Sequence, residues 1–208
     1  MEKIVLLGGG GHAKVVIDLI NACGSYEIAG IADAQLAAGV SVSGVTVLGN
    51  DSVLPELYGK GIKNACIAVG SVKDNSRRKA LYEKVKDAGF SIPALVHPSA
   101  IISGKSQIRK GVQIMAGAIV QTGALIGENT IVNTGAIVEH DCAVGNHVHI
   151  CPGATLSGNC LIGEGAFIGA GATVLQGIKI GNNSIVSAGA VVIKDVLDNT
   201  TVIGVPAR

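Results

Sequence analysis

Stepping six residues at a time from Val96 reaches Ile102, Ile108, Ile114, Val120 and Ile126. The step continues unbroken through Val132, Val138, Val144, Ile150, Leu156, Ile162, Ile168, Val174, Ile180 and Val186 to Val192. All seventeen positions carry Val, Ile or Leu, and two residues before most of them stands a small side chain such as Ala118, Ala136, Cys142, Ala154 or Cys160. A helix repeats at about 3.6 residues and a plain strand at two, so neither keeps one special position at every sixth residue. Hexads mark a parallel β-helix, in which each hexad is a short strand and a bend and three hexads close one triangular coil. The branched aliphatic points inward and stacks on its equivalents in the neighbouring coils. The small residue also points inward, where the prism is narrow. Gly, Asn and Ser gather at the bends, where unusual backbone angles are needed. The run from 96 to 192 amounts to about five coils, a column roughly 25 Å tall at ~4.8 Å per coil.

The first 95 residues follow another pattern. Lys3 to Leu7 reads as an apolar strand; Gly8, Gly9, Gly10 and Gly11 follow, then His12, Ala13, Lys14 and the helical spacing of Val15, Val16, Leu19 and Ile20. Strand, glycine turn and helix, with Gly8-x-Gly10-x-x-Ala13, fit the dinucleotide-fold fingerprint in its Gly/Ala form. Glycines let backbone N–H groups approach a phosphate, and a helix N-terminus favours its charge. Glu27 to Ala32 reads as a second strand ending at Asp33, where an acidic group would meet a ribose hydroxyl or a base. A short helix is expected over 51–58, a strand over 65–69, an amphipathic helix over 74–88 with Leu81, Val85 and Ala88 on one face, and a last strand over 90–96. The sum is a parallel sheet of about four strands with helices on its faces. There is room for one βαβαβ half only, which suits a mononucleotide, such as that of a sugar nucleotide, better than NAD. The predicted fold is therefore α/β plus all-β: a small Rossmann-like domain over 1–95, then a β-helix over 96–208 that ends in a C-terminal tail.

Composition narrows the function classes. The net charge of +1 and the 2% aromatic content argue against nucleic acid as a partner. The mean hydropathy of +0.50 is high, but no stretch reaches the ~18 apolar residues of a membrane span, and the β-helix interior explains the excess. Without a signal-peptide pattern at its start, the chain reads as cytoplasmic. Cys142 and Cys160 share the small inward position one coil apart and are expected as packed thiols rather than a disulfide.

The hexad register also sorts the histidines. His97 belongs to the cap of the coil and His147 to a bend, with a surface role. His140 lies at a bend, on a corner of the prism, between Glu139 and Asp141. A carboxylate beside a histidine can hold one ring nitrogen and leave the other basic. His149 precedes the inward Ile150 and so points outward from a face, half a coil from His140. One prism puts the two on different sides, so an oligomer is needed to bring them together. The spacings among His140, His147 and His149 do not match the zinc ligands of γ-class carbonic anhydrases, and no metal is expected.

Nearly the whole chain resembles the NeuD/PglD-type sugar acyltransferases of the hexapeptide-repeat superfamily. The resemblance rests on Gly8 to Lys14, the hexads, the stretch from Asn133 to Gly153 and the ending from Gly204 to Arg208. It implies a left-handed β-helix that assembles as a homotrimer, with acetyl-CoA between adjacent β-helices and a nucleotide sugar on the N-terminal domain. It also implies transfer of acetyl to a sugar amine, the 4-amino group above all, in glycan or polysaccharide biosynthesis. His140 matches the family's general base and Asp141 its acidic partner, shorter than the Glu of many relatives. His149 matches a histidine that contacts the thioester carbonyl, and Gly158 a backbone oxyanion donor. Gly10, Gly11, His12 and Asp33 fall on the nucleotide-sugar side; Ala32 departs from relatives with a second Asp. A sugar hydroxyl as acceptor, or a nucleotide-binding scaffold without catalysis, are the rival readings.

Overall fold

The computed structural model describes residues 1–72 and 74–208. The chain divides into two compact units: Met1–Gly70 with Arg77–Leu95, and Ser71–Ser76 with Val96–Arg208. Ser71, Val72 and residues 74–76 thus group with the β-helix, which no pattern in the sequence announces.

In the first unit, β1 (Glu2–Leu7), α1 (Gly11–Cys23) and β2 (Tyr26–Ala32) form the expected strand–glycine turn–helix–strand. A hairpin follows, β3 (Ser41–Val42) and β4 (Val45–Gly49), then a 3-10 turn (Asp51–Val53) running into α2 (Leu54–Gly59), then β5 (Asn64–Ile67) and α3 (Ser76–Asp87). The sheet has five strands in the order β3-β4-β2-β1-β5, parallel except for the β3–β4 pair. The hairpin was legible, since Ser43 and Gly44, both at positive φ, separate two β-branched runs.

Two expectations are corrected. No continuous strand spans 90–96: Ser91 makes one bridge to Asn64, Pro93 intervenes, and only Leu95–Val96 are extended, within the β-helix sheets. On α3 the buried face carries Arg78, Tyr82 and Val85, while Ala88 is exposed beyond the last helical residue. The buried Arg78 donates Nη1 to the carbonyls of Ile67 (2.7 Å) and Val69 (2.9 Å), fixing the end of β5. Burial lowers its pKa to about 10, which still leaves it charged at neutral pH.

The second unit is a parallel β-helix of three sheets. The first stacks six two-residue strands from Ile101–Ile102 to Val191–Val192, the second five from Gln107–Ile108 to Lys179–Ile180, and the third seven from Leu95–Val96 to Thr201–Val202. Equivalent residues pair in register at steps of eighteen, as in Ile119↔Ile137↔Thr155, until the last coil, where Ile185 pairs with Thr201. The predicted inward positions form one core, with Val120, Val138, Leu156 and Val174 at most 1% exposed. The small positions Ala118, Ala136, Ala154 and Ala172 are fully buried beside them. Cys142 and Cys160 are free thiols in that core, and Cys142 donates to the Ser157 carbonyl. Among the described residues no helix is long and apolar enough to cross a membrane.

Close packing makes the small position intolerant of volume. Ala154→Leu is expected to destabilise the chain by about 1–3 kcal/mol, read as a lowered midpoint in urea. An unchanged midpoint would mean that the coil has room the burial does not show.

Candidate active site

The corner between the first and second sheets carries His140 and Asp141. The strand Ile137–Val138 ends there, and Ala143–Val144 begins the next face. Asp141 adopts positive φ (58°), the left-handed conformation that turns the corner, and its N–H donates to the Thr122 carbonyl one coil back. Both side chains are therefore pushed outward by the same register that buries Val138. His140 Nδ1 lies 2.9 Å from Asp141 Oδ2, at side-chain exposures of 47% and 58%.

Glycines make room on either side of this pair. A Cβ on Gly123 would strike Asp141 Oδ1, and one on Gly158 would stand 2.5 Å from His140 Nε2 and 2.6 Å from Cε1. The imidazole thus lies on the Gly158 backbone. Gly158 is buried, its carbonyl accepts from Gly177, and its N–H has no acceptor among the described residues. The Nδ1 contact with a carboxylate requires the Nδ1–H tautomer in a neutral ring, so Nε2 keeps its lone pair. This corner can accept a proton at Nε2 and offer a backbone N–H beside it.

His149 stands in the third sheet, away from that corner, as the register requires. It is only 6% exposed. Its ring meets Phe167 of the next coil edge to face, centroids 5.4 Å apart. Nδ1 lies 2.8 Å from Ser71 Oγ and Nε2 lies 3.1 Å from Asn133 Nδ2. Ser71 groups with the β-helix, as does Asn75, which donates to the Gly165 and Ala166 carbonyls. Sequence reasoning missed Ser71 because its place depends on this long-range packing. Asn133, directly after an inward Val132, was within reach of the hexad count. His147, expected at the surface, is 5% exposed with Nδ1 2.9 Å from Asn129 Nδ2. The corner Asn129 one coil back covers it. His97, at the start of the β-helix, accepts from the N–H of Ser99, as a cap should.

In the first unit the four glycines separate into two pairs. Gly8 has φ of 107° and a Cβ there would hit Val69, while one on Gly9 would stand 2.5 Å from Leu36 Cδ1. Packing accounts for these two. At Gly10 and Gly11 an added Cβ would meet nothing within 4 Å, so packing does not require them. Gly10 caps α1 without a side-chain hydrogen bond, leaving the helix N-terminus open. His12 packs over Gly70, where a Cβ would lie 3.3 Å from its ring.

Asp33 is 8% exposed and bound to its own backbone: Gly9 N–H donates to Oδ2 (2.7 Å), and those of Gln35 and Leu36 donate to Oδ1 (2.8 and 3.0 Å). Its carboxylate therefore braces the glycine turn. Burial alone would raise its pKa; the N–H donors of Gln35, Gly9 and Leu36 and the charge of Arg77 outweigh that and hold it below the usual carboxylate range. A depressed folded-state pKa adds stability above the ordinary carboxylate range, and that stability is lost as pH falls through the folded value. Asp33→Asn is expected to cost about 2 kcal/mol near neutral pH, because one N–H loses its acceptor, and progressively less in acid. Urea unfolding at several pH values checks this; a cost independent of pH would refute the charge's part.

Comparison with known proteins places this geometry. Residues 3–85 match the PglD N-terminal domain model, and residues 123–158 and 159–194 match the bacterial transferase hexapeptide model. PerB from Caulobacter crescentus, solved in complex with CoA and GDP-perosamine, is 43% identical, with a TM-score of 0.93 over 100% of this chain and 97% of that one. The acetyltransferase domain of PglB from Neisseria gonorrhoeae, solved with acetyl coenzyme A, is 39% identical, with a TM-score of 0.91 over 100% and 98%. The UDP-N-acetylbacillosamine N-acetyltransferase of Bacillus subtilis is 39% identical over 116 residues, which span 56% of this chain and about half (52%) of that relative. At such identity across whole chains, with both domain models matched in order, the chain belongs to the PglD-type sugar N-acetyltransferases built on hexapeptide repeats.

Proposed function

We propose that this protein transfers acetyl from acetyl-CoA to the amino group, the 4-amino group above all, of a nucleotide-linked amino-deoxy sugar. The observation that carries the reading is the His140 corner: Nδ1 against the Asp141 carboxylate, Nε2 free to accept a proton, and the Gly158 backbone beneath it. His140 Nε2 takes a proton from the amine as the nitrogen adds to the thioester carbonyl. The Gly158 N–H meets the oxygen that gains negative charge. The C–N bond forms, the C–S bond breaks, and the imidazolium returns its proton to the departing CoA thiolate. Asp141 holds the tautomer and steadies the imidazolium.

Other features support the same reading. A groove of about 860 Å³ runs along the outer face of the second sheet, lined by Leu125, Ala143, Leu161, Lys179 and Leu197. An apolar trough beside the corner suits the flexible arm of CoA, and its exposed Leu161 and Leu197 suit a neighbouring copy. Because His140 and His149 occupy different sides of one prism, we assign His149 to the acetyl-CoA side of a site shared between copies of a homotrimer. Gly10, Gly11 and His12 meet the nucleotide sugar, with Asp33 bracing the turn beneath them. Residues 1–95 act as the sugar-nucleotide domain and 96–208 as the transferase domain, in a cytoplasmic route to glycans.

The test is a screen of UDP-, GDP- and dTDP-linked amino sugars with acetyl-CoA, following thiol release. His140→Ala is expected to lose roughly 10²–10⁴-fold in kcat while acetyl-CoA binding by titration calorimetry stays near wild type. Undiminished turnover would sink the assignment, and transfer to sugar hydroxyls alone would shift it to O-acetylation. Cys142 is 1% exposed, and the neighbouring Cys160 thiol together with burial pushes its thiol up, away from the nucleophilic thiolate. Cys142→Ala should therefore leave turnover nearly unchanged; loss of activity there would point to an acetyl-cysteine route.

A further inference from the structure

The hydrogen bonds around His149 have a direction, and it can be read from one end. Asn133 Oδ1 accepts from the Thr134 N–H at 2.8 Å. That fixes the amide so that its NH₂, not its oxygen, faces the imidazole. The contact of 3.1 Å between Asn133 Nδ2 and His149 Nε2 is then a bond in which Asn133 donates and Nε2 accepts. A neutral imidazole that accepts at Nε2 carries its proton on Nδ1. The Nδ1–H therefore donates to Ser71 Oγ at 2.8 Å. With that lone pair engaged, the Ser71 hydroxyl still has its own proton to give. Phe167, edge to face, holds the ring against rotation.

Exposure selects which member of this chain a ligand meets. His149 is 6% exposed and both ring nitrogens are bonded within the chain, whereas Ser71 is half-buried. We propose that Thr134, Asn133 and His149 form a one-way hydrogen-bond chain that holds Ser71 as a hydrogen-bond donor to the thioester carbonyl of acetyl-CoA, with His149 a positioning residue. This rests on the acetyltransferase reading above and on the assignment of His149 to the acetyl-CoA side. It makes Ser71 a second donor to the oxygen that becomes negative, complementing the Gly158 N–H. The chemistry needs no further reactant, because Ser71 gives a hydrogen bond and keeps its proton.

Two measurements test it on the full chain. Histidine-¹⁵N-labelled protein is examined by long-range ¹H–¹⁵N correlation at neutral pH, with His149 identified as the ring whose signals move in Asn133→Asp. The wild-type ring should show a protonated Nδ1 and a bare Nε2. Asn133→Asp replaces the donor with an acceptor of the same shape and should move a proton onto Nε2. A wild-type ring protonated at Nε2 would overturn the chain's direction. In kinetics, Ser71→Ala should lower kcat on the order of 10²-fold with little change in KM for acetyl-CoA, because the lost bond strengthens only as charge develops. Ser71→Thr, which keeps the hydroxyl, should recover most of that loss. Wild-type kcat in a folded Ser71→Ala protein would overturn the donor role. The NMR result stands without turnover, so a failure of the acetyltransferase reading is seen separately as no thiol release from wild type with any acceptor.

Discussion

Everything in the second unit depends on the narrow interior of the prism. Three short strands per coil leave space for one branched side chain and one small side chain per face, and the chain supplies them at every sixth residue. Because that space is filled, the remaining positions in each hexad can only point outward or form the bend. The outward residues have no part in filling the prism, so chemistry can be placed on them without disturbing its core. His140 and Asp141 occupy a bend, and Ala143, Leu161 and Lys179 line a groove on one face. The same constraint buries the Cys142 and Cys160 thiols, since a residue at the small inward position lies in the core.

Apart from the bends and caps that need positive φ, glycine has two separate uses around the candidate site. At Gly8, Gly9, Gly123 and Gly158 an added Cβ would collide with a neighbouring side chain, so a close approach forces the choice. At Gly10 and Gly11 it would meet nothing. Glycine at a site with open space, on a bare helix N-terminus, is what a ligand approaching the backbone demands. Asp33 belongs with the first use. Its carboxylate accepts three backbone N–H groups, among them that of Gly9, so it sets the turn's shape from beneath.

How much was legible follows from the range of the interactions. The coil and its core came from a strict local period, which also placed His140 on a corner and His149 on a face. The elements β1, α1 and β2 came from a local motif. The β3–β4 hairpin is equally local. The apolar stretch over 90–96 does not form one strand because Pro93 interrupts it. The coverage of His147 and His149 was out of reach by counting. It depends on Asn129 one coil back and on Ser71, 78 residues away in sequence. Register tells which way a side chain leaves the prism, but not what lies over it.

The two outward histidines show why that covering matters. Both rings make their Nδ1 contact with an oxygen, Asp141 Oδ2 in one case and Ser71 Oγ in the other. The Asp141 carboxylate can only accept, which makes neutral His140 the Nδ1–H tautomer, whereas His149 reaches the same tautomer because Asn133 donates to its Nε2. In His140 that nitrogen lies over Gly158, with no side chain to occupy it. In His149 it accepts from Asn133, and the ring instead passes a hydrogen-bond direction on to Ser71. One residue type, nine positions apart in the same repeat, thus keeps an open Nε2 in one place and is bonded at both ring nitrogens in the other. The repeat supplies the two positions, and the partner at Nε2 separates the two imidazoles.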